Sequence, residues 1–293
     1  MNFELRLPFR APLAADALLG WLAVRAVPGV EEVAGNAYRR SLRLPGGPGV
    51  VELEFGADSV CCRLWLEDRR DVPPAGECCR RLLDLDADPG VVAEHLGADP
   101  LLGPLVRAAP GLRVPGAVDG AELAVRAVLG QQVSLAAART GAGRLVAAHG
   151  EALPRPRGTV TALFPAPAVL GALDPARLAM PRARARALVG LCRALADGEL
   201  CLDAGVDRAQ ARRRLLALPG VGRWTAGYVA MRALGDPDVF LAEDLGVRHA
   251  LRRLGGPDDP RRARALAAAW APWRSYASQH LWQAPASGAA LAA

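Results

Sequence analysis

Residues 218–234, LPGVGRWTAGYVAMRAL, place two glycines around one valine and a tryptophan two residues after the second. Leu215, Leu216 and Leu218 read as the end of one helix, Pro219-Gly220-Val221-Gly222 as a tight turn, and Arg223 as the start of a second helix. Glycines at 220 and 222 permit positive φ and leave backbone N–H groups bare at a helix N-terminus, which suits a phosphate oxygen. An ordinary helix–helix turn uses glycine in the same way, so the turn alone does not decide. One loop further on, Asp244 stands before another helical stretch, LGVRHAL. A carboxylate there is either an N-cap or a reagent, with Glu243 as its rival.

The remaining side chains narrow the chemistry. All 36 basic residues are arginine. Without a lysine, no side-chain amine can form a Schiff base. Cys61, Cys62, Cys78, Cys79, Cys192 and Cys201 lack the spacing of zinc or iron–sulfur sites, and His95, His149, His249 and His280 show no ligand spacing. No cofactor and no metal held by side chains are expected, and the thiols read as idle in a reducing compartment. The net charge of +6 and pI near 9.4 favour an anionic partner. The N-terminus MNFELRLPFR alternates and is charged, unlike a signal peptide, and the longest apolar stretch, ALLGWLAV, is stopped by Arg25. A soluble cytoplasmic protein with no membrane partner is expected.

The elements that must position these residues fall into two zones. FELRLPF, VELEF and VCCRLWL alternate with period two, AYRRSLRL adds a strand before the turn PGGPG, and LAADALLGWLAVRAV reads as an amphipathic helix. Residues 1–88 are therefore expected to form a small antiparallel sheet with helices on one face. From about residue 89 the strand signal disappears and helical segments follow one another, punctuated by proline and glycine. One of them, DGAELAVRAVLGQQVSLAAART, opens with Asp119 and carries Glu122 three residues on, a capping-box-like start. PASGAALAA at the end reads as a loose tail.

With Leu-Pro before GVG and Arg-Trp-Thr-Ala after it, the turn reads as a DNA-binding helix-hairpin-helix. GWLAVRAVPGVEEVAGNAYRRSL, LRVPGAVDGAELAVRAVLGQQVS, LPGVGRWTAGYVAMRAL, DVFLAEDLGVRHAL and WAPWRSYASQHLW together resemble the DNA-3-methyladenine glycosylase II family, a bacterial branch of the helix-hairpin-helix DNA glycosylase superfamily. The resemblance covers almost the whole chain. It implies an α+β N-terminal domain (antiparallel sheet with helices) followed by a mainly α helix-hairpin-helix glycosylase fold of two helical domains. The expected division is 1–88, then 89–117 plus 237–289 carrying the catalytic Asp, with 118–236 holding the hairpin.

The same resemblance implies the chemistry: hydrolysis of the N-glycosidic bond of alkylated purines in duplex DNA after base flipping, in base excision repair. Asp244 stabilises the oxocarbenium character of the sugar and orients the attacking water. Trp224 stands where bifunctional relatives carry a Schiff-base lysine, so water is the nucleophile and no lyase step follows. Trp224, Tyr228, Trp282 and Trp21 form the base pocket. A purine alkylated at N3 or N7 is cationic, and such rings offer it about 1–2 kcal/mol of cation–π attraction. Leu218, Gly220, Val221, Gly222, Arg223 and Thr225 hold the DNA backbone, Gln132 is the wedge that fills the vacated stack, and Gln131 and Ser134 contact the backbone nearby. Hairpin carbonyls are candidates for a monovalent cation. A monomer acting on double-stranded DNA at the nucleoid is expected. Two alternatives stand beside this reading: a non-catalytic helix-hairpin-helix DNA-binding or damage-sensing protein, and a glycosylase for mismatched or oxidised bases.

Overall fold

The computed structural model of the chain describes residues 1–284. The tail PASGAALAA and the last residues of the 237–289 segment lie outside the described residues. Alternating apolar residues build the first layer, which contains β1 (Asn2–Pro8), α1 (Ala15–Ala23), β2 (Glu31–Ala34), β3 (Ala37–Leu44), β4 (Gly47–Phe55) and β5 (Ser59–Trp65). The strands pair antiparallel in the order β1-β5-β4-β3-β2. The edge strand β2, EEVA, escapes the alternation rule because it is four residues long and opens on two carboxylates. Helix α2 (Val72–Leu83) packs with α1 on one face of the sheet, burying Tyr38, Leu53, Cys62, Leu64, Cys79 and Leu83.

Helices follow: α3 (Pro89–Gly97), α4 (Gly103–Ala108), α5 (Gly120–Leu129) and α6 (Leu135–His149). The strand signal does not end at residue 89. A hairpin of β6 (Glu151–Arg157) and β7 (Val160–Leu163) packs Leu153, Val160 and Leu163 against Val50 of β4. Pro154 and Pro156 mask β6 in the sequence, and the ladder accommodates them because its pairing is interrupted between Ala152 and Arg157. The chain continues through α7 (Pro167–Gly171), α8 (Arg182–Ala196), α9 (Arg208–Ala217) and α10 (Arg223–Arg232). It closes with α11 (Leu245–Arg253), α12 (Pro260–Leu266) and α13 (Arg274–Gln283). No helix among the described residues is long and apolar enough to cross a membrane.

Three apolar cores result: one beneath the sheet, one around α5, α8 and α10, and one joining α3 and α4 to α11 and α13. A buried ionic network joins the first two. Glu31 accepts from the Tyr38 hydroxyl at 2.5 Å and from Arg126 at 2.9 Å, while Glu122 accepts from Arg40 at 2.7 Å and Arg126 at 2.8 Å. Asp119 caps α5 as expected, accepting from Ala121 and Glu122 N–H, but Glu122 does not close a capping box because these two arginines claim its carboxylate. Arg126 also donates to the Arg25 carbonyl at 2.7 Å, which fixes the end of α1 against α5.

Candidate active site

The hairpin between α9 and α10 gives its two glycines different tasks. Gly220 has φ +84, and a Cβ there would stand 2.5 Å from the Ala187 side chain on α8. Gly222 is extended at φ −91, so it needs no left-handed freedom, contrary to the expectation for both glycines. A Cβ at Gly222 meets no atom within 4 Å. What its absence provides is open surface beside the first turn of α10. The neighbouring helices α9 and α11 begin on aspartate caps, whereas no side chain caps α10. Its first N–H groups are left for an outside acceptor, the arrangement that favours anions.

The expected backbone contacts divide into surface and scaffold. Gly220, Gly222 and Arg223 are exposed, and Leu218 is half-buried. Val221 is instead buried in the core around α8 and α10. The Thr225 side chain is also buried, and its hydroxyl accepts from the Gln131 amide at 2.9 Å. Gln131 donates to the Gly220 carbonyl at 2.9 Å as well. Its amide is thus spent on tying the loop after α5 to the hairpin, and it already engages one of the carbonyls considered for a cation. Ser134 caps α6, accepting from Ala137 N–H at 3.2 Å. Gln132 stands at the loop tip in the left-handed region, φ +55, with Val133 and Leu135 exposed beside it. A non-glycine residue held there projects from the surface at a local cost in strain.

Asp244 is both of the things its sequence position allowed. It caps α11, with Oδ1 accepting from Val247 N–H at 2.9 Å. Its carboxylate also accepts from two indoles: Trp224 Nε1 reaches Oδ2 at 2.8 Å and Trp282 Nε1 reaches Oδ1 at 2.9 Å. Three donors from three elements therefore fix its orientation. Gly246 makes room for this, since a Cβ there would stand 3.1 Å from both Asp244 Oδ1 and the Trp282 ring. Glu243 turns away and pairs with Arg264.

Above the carboxylate lies a cavity of about 230 Å³, lined by Trp21, Arg25, Trp224, Tyr228, Asp244 and Trp282 among others. The four expected aromatic residues do converge. Trp224 stacks on Tyr228 with ring centroids 5.3 Å apart, Trp282 meets Tyr228 edge-on at 6.2 Å, and Trp21 lies 5.2 Å from Trp282. Two arginines also border the cavity. Arg232 donates to the Tyr228 hydroxyl at 2.8 Å and to the carbonyls of Pro115 and Gly116. Burial works to raise the Tyr228 phenol, but Arg232, Arg25 and Arg126 outweigh it and hold it below its ordinary value. These arginines escape a motif reading. The one sequence signal for Arg25 is its place one turn beyond Trp21 on the same helix, and for Arg232 the same spacing from Tyr228.

The AlkA N-terminal domain model matches residues 4–119, and the model for HhH-GPD superfamily base excision DNA repair proteins matches residues 125–275. The chain belongs to the AlkA-like DNA-3-methyladenine glycosylases of the HhH-GPD superfamily. It is 56% identical over 279 residues to the "Probable bifunctional transcriptional activator/DNA repair enzyme AlkA" of Mycobacterium tuberculosis, covering 95% of this chain and 56% of that protein. The chain thus spans about half the length of that AlkA relative. It is 39% identical to "DNA-3-methyladenine glycosylase 2" of Escherichia coli, with 94% of this chain and 95% of that protein covered. In fold it resembles the 3-methyladenine DNA glycosylase of Archaeoglobus fulgidus, with a TM-score of 0.83 at 21% identity over 95% and 97% of the two chains. The AlkA-like architecture accounts for the α+β layer, the helical hairpin region and the cleft where they meet.

Proposed function

We propose that the chain is a monofunctional DNA glycosylase that flips alkylated purines of the 3-methyladenine and 7-methylguanine class out of duplex DNA and hydrolyses their N-glycosidic bond, leaving an abasic site. The observation that carries this reading is the Asp244 carboxylate, oriented by Trp224, Trp282 and Val247 at the floor of an aromatic cavity. As the bond to the base breaks, positive charge develops on the sugar, and a carboxylate already in place stabilises it without reorganisation. The same group orients the water that attacks C1′. Trp224 occupies the position where an amine would attack, and the chain holds no lysine, so the base leaves by hydrolysis. The bare N-terminus of α10, with Gly220, Gly222 and Arg223 exposed around it, grips a phosphate, and Gln132 enters the stack.

A division into 1–88, 89–117 plus 237–289, and 118–236 belongs to the same proposal, and the three apolar cores support it. So does a monomer working on nucleoid DNA in the cytoplasm, with the net charge of +6 favouring the encounter. The test is base release from methylated duplex DNA by the unaltered protein and by Asp244→Asn, with strands analysed before and after alkali. Free 3-methyladenine from the unaltered protein alone, with strand breaks only after alkali, is the expected result. Release of no methylated base, or strand breaks without alkali, overturns the reading.

A further inference from the structure

Helix α1 brings two hydrogen-bond donors to the cavity wall that the chemistry above leaves unused. Trp21 is 4% exposed, and its indole N–H is buried with no acceptor among the described residues. Such a group costs about 1–3 kcal/mol unless something accepts from it. One turn on, the Arg25 guanidinium lies over the Trp21 ring, its carbon 3.2 Å from the centroid. Its hydrogen bond within α1 is a single donation to the Trp21 carbonyl at 3.2 Å, and it borders the Tyr228 hydroxyl. The other arginines nearby are occupied: Arg126 on Glu31 and Glu122, Arg232 on two carbonyls and a phenol. No carboxylate among the described residues forms an ion pair with Arg25. The cationic face of this wall is therefore already taken by the protein's own guanidinium, and its spare N–H groups face whatever base enters.

We infer that Arg25 is a specificity-determining residue of the cavity, favouring neutral bases that bring a carbonyl oxygen, such as a 6-oxopurine, over cationic alkyladenines. A carbonyl oxygen takes a charge-assisted hydrogen bond from Arg25, and the Trp21 N–H is a second donor on the same wall. A base carrying positive charge meets a like charge there, which sets Arg25 against the attraction of the aromatic rings. This rests on the glycosylase reading and adds which bases the site ranks first.

The test compares excision of hypoxanthine from a duplex oligonucleotide with release of 3-methyladenine from methylated duplex DNA, for the unaltered protein, Arg25→Gln and Arg25→Lys. Arg25→Gln removes the charge and is expected to lower the hypoxanthine to 3-methyladenine ratio of kcat/KM by about tenfold or more, through slower hypoxanthine excision and unchanged or faster 3-methyladenine release. Retained 3-methyladenine release shows at once that the variant is folded. Arg25→Lys keeps the charge and is expected to keep most of the discrimination against the cationic base. An unchanged ratio, or an equal fall for both bases, assigns Arg25 a structural role and overturns the inference while leaving the glycosylase reading intact. No release of either base by the unaltered protein takes both down.

Discussion

Trp224 donates its indole N–H to Asp244 across 2.8 Å, so the ring two residues beyond the hairpin glycines is a hydrogen-bond partner of the carboxylate as well as a wall of the cavity. This arrangement separates two properties of one side chain. Trp224→Phe keeps an aromatic face against Tyr228 and removes the donor. Base release under single-turnover conditions is expected to slow by about tenfold, with substrate affinity little changed and thermal stability lowered by less than about 1 kcal/mol. An unchanged rate means that Trp282 and the α11 amide suffice to orient the carboxylate.

The two hairpin glycines give a second contrast. Gly220→Ala forces a Cβ into the left-handed region and against Ala187, and is expected to destabilise the fold by about 1–3 kcal/mol. Gly222→Ala meets neither obstacle and leaves the melting temperature within a degree or two, yet it weakens binding to duplex DNA by occupying the surface a phosphate needs. Melting curves and fluorescence anisotropy with a duplex, run on the same two variants, check both halves.

Glu122 sits between Arg40 and Arg126 in the network that joins the sheet to α5. Glu122→Gln leaves buried guanidiniums with half their compensation and is expected to cost roughly 3–5 kcal/mol. Urea unfolding measures it. A loss below about 1 kcal/mol would mean that water or rearranged side chains replace the pair.

His280 carries the clearest pH signature. Burial pushes it down to about 4 from an ordinary value near 6.5, so the folded protein holds it neutral where the unfolded chain takes up a proton. Its contribution to stability is intact above about pH 6.5 and is lost as the pH falls towards about 4, a total of roughly 3 kcal/mol. Asp84, pushed up to about 6 by burial against the pull of the Tyr276 hydroxyl, has the opposite slope over an overlapping window. The readout is therefore the difference between the unaltered protein and His280→Met: acid is expected to destabilise the unaltered protein more. Parallel curves would show that His280 gains a partner or water on acidification.

Much of this site is legible in the sequence because each part follows a local rule. The hairpin reads from two glycines between helices, Asp244 from its place at a helix start, and Trp224 and Tyr228 from a spacing of one helical turn. Trp21 and Trp282 come from opposite ends of the chain, and only the resemblance to a family joined them to the pocket. The Gln131 brace, the indole grip on Asp244 and the clearance supplied by Gly246 depend on side chains meeting across elements, which no periodicity encodes. The missed β6–β7 hairpin has a different cause: its prolines are acceptable only because a second layer supports an irregular ladder there.

The cavity has two owners. Asp244, Trp224 and the hairpin are built on helices far along the chain, whereas Trp21 and Arg25 belong to the first helix and are fastened to the rest through Arg126. Substitutions on that first helix can therefore retune what the cavity accepts without touching the carboxylate that acts or the turn that grips. Across a lineage, lesion preference can drift while the reaction stays constant, and a single short helix is where such drift would be recorded.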